Sequence, residues 1–309
     1  MLAINAATLS PMRNNRATLW LIAASLLAIV IIAALVLSGS APAPAPAALP
    51  NPNGYVAFLE AAADVQKNTS DFPQMNQDAL RTLVEGNTNA LQMARSGFAE
   101  RAQVPVEYSL PYLQKRLPEL AGLKLLAQAF LAEGKLAEMD HRPCDAAKSY
   151  LDAIHLGIEC RRGGVLIDGL VGIAVESMGT SQLQTLAATI DGKCCRELAH
   201  ELETLDANQP TWEQTLEQEH YWSRRTFPGL QYRLAELMAW NSTRGAKAKA
   251  QQRFKTAQTK MRRLLITLAA RAYELENTHR PASLSDLVPT YLKAIPQDPS
   301  TGTNFPYPP

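Results

Sequence analysis

The sequence predicts an all-α protein held on a membrane: a single N-terminal transmembrane helix, a Pro/Ala stalk, a domain of antiparallel helical hairpins and an irregular C-terminal strap. Three observations carry this. Residues 17–37, ATLWLIAASLLAIVIIAALVL, contain no charge, Pro or Gly, and a helix rising ~1.5 Å per residue over that length matches the hydrocarbon core of a bilayer. Beyond them Ala and Leu dominate, β-branched runs are few and aromatics make up only 6% of the chain, a bias toward helix. Finally, residues 281–309 carry Pro289, Pro296, Pro299, Pro306, Pro308 and Pro309, which forbid any long element there.

Orientation follows from charge. Arg13 and Arg16 precede the span, and the first ionisable side chain after it is Glu60, so the positive-inside rule keeps residues 1–16 in the cytoplasm and exports the rest. A cleaved signal peptide is the rival, since Ala-x-Ala triplets follow at residues 41–47. The apolar run, however, exceeds a signal peptide's usual core, and Pro sits where a peptidase would cut. The expectation is a single-pass inner-membrane protein, its partner the lipid bilayer through residues 17–37 and its bulk periplasmic. Residues 38–52, SGSAPAPAPAALPNP, favour extended polyproline geometry and serve as the stalk.

The helical domain, residues 53–280, opens with Asn51-Pro52 as a cap and Tyr55, Phe58, Leu59, Ala62 and Val65 at helical spacing. A polar loop separates this from a helix over 78–101 that contains Gly86 and Gly97. Pro105, Pro111 and Pro118 punctuate the next connection, and a long amphipathic pattern begins at Leu120. Residues 165–189 predict a buried helix with a break at Gly179-Thr180, recapped by Ser181-x-x-Gln184. Asp191-Gly192 starts another. Thr211-x-x-Gln214 is a capping box for a helix ending near Thr226, and residues 230–241 and 246–277 complete the set. In the strap, Ser283-x-x-Asp286 caps one short turn, and its apolar Leu284, Leu287, Tyr291, Leu292, Ile295, Phe305 and Tyr307 predict packing on the helices.

From Phe130 to Ile154 the chain resembles a single tetratricopeptide unit: Phe130 and Gly134 take the aromatic and small positions of one helix, Ala146, Tyr150 and Ala153 the small, aromatic and small positions of the next. Small residues let two helices approach while one ring fills the groove beside them. No second copy lies 34 residues away on either side, and solenoids need stacked neighbours. The order of anchor, stalk, NPNGYVAFLEAA, LAGLKLLAQAFLAEGK, AAKSYLDAIHLG, LVGIAVESMG and RPASLSDLVPTYLKAIPQDPSTG resembles a family of membrane-anchored bacterial helical proteins to which no activity is attached. The closing motif also resembles the tails of pseudopilin-like proteins, although no prepilin cleavage site precedes the span. These resemblances imply fold and location, and supply no catalytic residues.

Chemistry-bearing patterns are sparse. Glu197-x-x-His200 and Glu217-x-x-His220 place acid and imidazole on one helix face, as in di-metal carboxylate bundles, and a turn near Gln209-Pro210 would bring the two His to matching heights. A solvated acidic face explains the same residues more simply, so no metal or other cofactor is assigned. Of the four cysteines, Cys144 and Cys160 lie at opposite ends of one predicted helix, ~24 Å apart, and cannot pair with each other. Either can reach Cys194 or Cys195 across a hairpin, but free buried thiols are the favoured state. A zinc site from His141, Cys144 and the Cys194-Cys195 pair fits no common template. A basic stretch, 244–263, and an acidic one, 196–219, are expected side by side, with lipid headgroups the alternative partner of the basic one.

With a formal charge of +1 no global field selects nucleic acid, and no phosphate-binding loop or nucleophile motif is present. The sequence therefore predicts a scaffold that contacts another envelope protein, with no small-molecule ligand identified. Phe130, Tyr150, Trp212, Tyr221 and Trp222 are the candidate contact aromatics. A metal-dependent enzyme and an accessory part of a secretion or pilus-like assembly are the alternatives.

Overall fold

The computed structural model describes residue 20 and residues 24–30, 48–227 and 230–307, the side chains of 230–243 excepted. The expected cytoplasmic tail 1–16, most of the expected span 17–37 and most of the expected stalk 38–52 lie outside these residues. Among the described residues no helix is long and apolar enough to cross a membrane.

Nine helices are described from the start of the domain onward: α1 (Gly54–Asp64), α2 (Gln77–Gly86), α3 (Thr88–Phe98), α4 (Tyr112–Met139), α5 (Pro143–Glu159), α6 (Leu166–Leu186), α7 (Gly192–Asn208), α8 (Trp212–Thr226) and α9 (Leu230–Asn277). A 3-10 segment, Lys67–Gln74, follows α1, and another, Leu284–Leu287, opens the strap. The fold is all-α: the described residues contain no strand, only one isolated bridge between Gln297 and Asn304. Side-chain caps set several starts. Asp191 Oδ1 accepts from Cys194 N at 2.9 Å, and Thr211 and Gln214 form the reciprocal box at 3.1 and 3.0 Å. The cap of α1 is Asn53, accepting from Tyr55 N at 3.1 Å, two residues later than expected.

Four boundaries differ from the sequence expectation. The helix expected over 78–101 is two, parted at Asn87, whose side chain accepts from Gln66 N at 2.9 Å and donates to Thr69 Oγ1 at 3.1 Å. Helix α4 begins at Tyr112 rather than Leu120 and absorbs Pro118 as its seventh residue, where the ring forfeits a single hydrogen bond near the helix start. No break occurs at Gly179: a Cβ there would come within 2.5 Å of Tyr150 O, so the glycine serves close approach of α5 and α6. Gly157 and Gly172 abut in the same seam. Finally, α9 runs unbroken through Gly245, which has open space around it and helix-forming Ala and Lys after it.

The helices α4 and α5 are antiparallel. The turn between them is a Schellman motif, with His141 at φ 57° and Arg142 N donating to Ala137 O at 2.8 Å. Gly134 lies under the Tyr150 ring, so close that a Cβ would meet it at 2.4 Å, and the Tyr150 hydroxyl donates to Glu138. Helix α7 packs mainly on α9, joined by Arg262–Asp206 at 2.8 Å and Arg196–Glu276 at 3.1 Å. Of the basic stretch, Arg262 makes the expected pairing with the acidic one, while Arg244, Lys249, Arg253, Lys260 and Arg263 are exposed. The expectation of free thiols is overturned for two cysteines: Cys144 and Cys194 form a disulfide across the first turns of α5 and α7, and Cys160 and Cys195 stay reduced and buried. The strap seats Leu284, Leu287, Tyr291, Leu292 and Phe305 in the main core. Glu203 on α7 accepts from Lys293 N at 2.8 Å, and Arg262 on α9 donates to Gln297 O at 2.6 Å.

Deep in the domain Arg116, only 2% exposed, meets fully buried Asp168 at 2.7 Å. Its guanidinium also donates to the Tyr55 hydroxyl and to Glu119, tying α1, α4 and α6 together. A second buried pair, Arg161–Glu176 at 2.9 Å, links the end of α5 to α6. Cutting one partner from such a pair strands the other charge away from water, at about 3–5 kcal/mol. Arg116→Met should therefore lower stability by about that amount in denaturant unfolding, and adding Asp168→Asn should return part of it. A single variant as stable as the parent would show that the pair is not a structural tie.

Candidate functional site

A concavity of about 820 Å³ lies where the loop after α3, the end of α5 and α8 converge. The loop is fixed from a distance. Asn53 accepts from Gln103 N at 2.9 Å and donates to Gln103 O at 2.8 Å, while Val104 N donates to Arg162 O at 2.9 Å. Phe98, at the end of α3, stacks on His155 with centroids 4.2 Å apart and planes at 13°. Burial lowers the His155 pKa from the usual imidazole value, so the ring is neutral at neutral pH. One turn on, Glu159, the last residue of α5, accepts from Arg162 Nε at 2.8 Å, and in the turn beyond it Gly163 sits at φ +70°, a left-handed conformation that lets the chain reverse.

The opposite wall is α8. Trp222 Nε1 donates to Glu107 O at 3.0 Å, and Tyr221 meets Tyr108 edge-to-face at 5.4 Å. Gln103, Gln214, Gln218 and Tyr221, with exposed Arg101 and Glu217, line the open space; Gln214 Oε1 is engaged by Thr211 N and Gln218 Nε2 donates to the Tyr108 hydroxyl at 3.4 Å. Amides both donate and accept, and so match a polypeptide backbone, while the rings offer a flat apolar floor. Thr215 is buried and gives its hydroxyl to Thr211 O at 3.1 Å.

The two Glu-x-x-His motifs are not brought together. After Gln209-Pro210, α8 turns toward α6 and α9 rather than back along α7. Glu197 lies 3.9 Å from Lys193, His200 4.0 Å from Glu203, and His220 3.3 Å from Lys247. Among the described residues no group of three or more His, Cys, Asp or Glu is placed to hold a metal ion. The zinc alternative fails as well, because His141 terminates α4 and the disulfide consumes Cys144 and Cys194. Of the contact aromatics, Phe130, Tyr150 and Trp222 are core, at 0, 1 and 5% exposure. Trp212 is half-buried against Phe254, 5.2 Å away, and Tyr221 alone of the five lines the large cleft. Sequence reasoning missed the Phe98–His155 stack and the Asn53–Gln103 clamp, whose partners lie 57 and 50 residues apart with no local motif to announce them. No family model, curated protein or solved structure matches the chain.

A second notch, of about 560 Å³, lies against α3, α4 and α5. There Arg95 binds Asp152 at 2.8 Å and also Glu133, which accepts from Ser149 Oγ at 2.7 Å. Burial outweighs the neighbouring guanidinium and raises the Asp152 pKa from 3.8 to about 6. A folded pKa above the unfolded one gives stability that is present below pH 3.8 and lost as pH rises through about 6. Melting temperature should thus carry a downward component between pH 4 and 7 that Asp152→Asn removes. Parallel melting profiles for the two chains would refute it.

Proposed function

We propose that the chain is a membrane-anchored, extracytoplasmic binding module that holds a segment of another envelope protein in the cleft between the Gln103 loop, the end of α5 and α8. The cleft itself carries this proposal. It is large, walled by three separate segments and lined with backbone-matching amides beside an aromatic ring, with its walls held by ties made elsewhere in the fold. The location draws support from the apolar residues 17–37 with Arg13 and Arg16 before them, and from the Cys144–Cys194 disulfide, a bond that persists in oxidising compartments. The antiparallel α4–α5 pair, with Gly134 under Tyr150, supports its likeness to a single tetratricopeptide hairpin.

A photoreactive amino acid at Gln218, inside the cleft, should yield a discrete protein adduct in intact cells that the same group at exposed Lys193 does not. Arg101→Glu with Gln214→Ala should abolish it. Equal labelling from both positions would refute the cleft as the contact site. For the location, Cys144 and Cys194 should resist alkylation in cells until reduced. Cys144→Ser should cost about 4 kcal/mol on the loop-entropy model for a separation of 50 residues, measured against the oxidised parent.

A further inference from the structure

A further concavity, of about 390 Å³, lies in the seam where the end of α7, the start of α8, the middle of α9 and Pro299 of the strap meet. It is separate from the cleft beside the Gln103 loop, with which it shares only Pro210. Part of its lining is a chain of groups that satisfy one another. Arg161, only 2% exposed, binds Glu176 at 2.9 Å and donates to Gln209 Oε1 at 2.8 Å. Gln209 Nε2 donates to Asp206 Oδ1 at 2.6 Å, Arg262 Nε donates to Asp206 Oδ2 at 2.8 Å, and Arg262 reaches on to Gln297 O in the strap at 2.6 Å. Both guanidinium charges are thereby balanced, and a connected network of this kind holds the wall in one arrangement.

The rest of the lining differs in kind. Trp212 and Phe254 meet edge to face, with centroids 5.2 Å apart and planes at 69°. Phe254 is core, but Trp212 is only half-buried, so the pair gives the concavity an aromatic wall. Lys255 follows Phe254 on α9, lines the same space and is also half-buried. Among the described residues its ammonium has no carboxylate within ion-pair distance. That sets it apart from Arg95, Arg116, Arg161 and Arg262, cations likewise withdrawn from water, each of which holds an Asp or Glu. Two acids line the concavity: Asp206 is taken up by Arg262 and Gln209, and Glu213 is exposed.

We propose that this seam binds a small carboxylate with a planar apolar body, the carboxylate paired with Lys255 and the body laid against Trp212 and Phe254. The charge follows from the unpaired ammonium, for which a carboxylate supplies a charge-assisted hydrogen bond out of full solvent. The flat body follows from the wall, since aromatic rings pack best in stacked or edge-to-face contact with another π-system. The size follows from the volume, which falls near the lower bound for small-molecule sites. Glu213 sets the limit on charge: its carboxylate opposes a second negative group, so a monoanion is favoured over phosphate. The site is independent of the larger cleft and of what that cleft holds.

The test uses the full chain in detergent micelles with indole-3-acetate as the probe, read by calorimetric titration and by saturation transfer to the probe's protons, with empty micelles as the blank. A guest of this size should bind with a dissociation constant of about 1 mM or tighter. Indole, which lacks the carboxylate, and acetate, which lacks the ring, should each bind roughly tenfold more weakly or worse. Lys255→Gln should weaken indole-3-acetate by about tenfold, as should Trp212→Leu, whereas Lys249→Gln, exposed on the same helix and outside the lining, should leave it unchanged. Lys255→Gln removes little packing, and an unchanged melting temperature separates loss of the site from loss of the fold. Absence of binding at about ten times the expected constant overturns the proposal. So does equal affinity in the parent and Lys255→Gln, or indole binding as tightly as indole-3-acetate. Displacement of the probe by an equal concentration of inorganic phosphate assigns the seam to phosphate and overturns it as well.

Discussion

Arg116 is the point on which the arrangement depends. Its guanidinium, taken out of water, holds Asp168 at the start of α6, Glu119 on its own helix and the Tyr55 hydroxyl at the start of α1, and lies 5.0 Å over the Tyr55 ring. Asp168 in turn accepts from Val165 N at 2.8 Å, starting α6. A cation buried among these groups is stable only where all of them are present, because an unpaired charge in that setting is costly. That requirement fixes how α1, α4 and α6 are aligned. From the alignment follow the height of the Asn53 clamp, and hence the position of the Gln103 loop that forms one wall of the cleft.

Much of the architecture was legible because it is local. The period of Tyr55, Phe58 and Ala62, the Asp191 cap and the Thr211–Gln214 box each sit within a few residues of what they determine. The tail's apolar residues are mostly seated as their spacing among prolines suggested. The failures share a different cause. Gly179 reads as a breaker because a sequence window shows no second helix pressing on it, whereas the interruption expected between 241 and 246 is absent, the helix running through Gly245. The Cys144–Cys194 bond needed the relative placement of α5 and α7, which only the packed core supplies.

The site was less legible than the fold. Tyr221 was picked out by its type, but the aromatic rule that selected it also chose Phe130, Tyr150 and Trp222, which the core claims first. Aromatic side chains carry the largest burial term of any residue, so in a domain with few of them most are spent inside. The polar lining of the cleft leaves no binding pattern in sequence: Gln214 is legible only as a helix cap, and Gln103 and Gln218 carry no local signal. Amides at irregular spacing look the same whether they face solvent or a partner.

The strap has a consequence for how such a chain is made. Its buried Leu287 and Leu292 and its hydrogen bonds to Glu203 and Arg262 close over α7 and α9, yet it is synthesised after both. Until it emerges, the part of the core that Leu287 and Leu292 fill is open. Synthesis from the N-terminal end therefore completes the helices before the strap exists, and a chain cut short before residue 284 lacks it permanently. Proteases and chaperones that recognise exposed apolar surface would read the two as one species, distinguished only by how long the opening lasts.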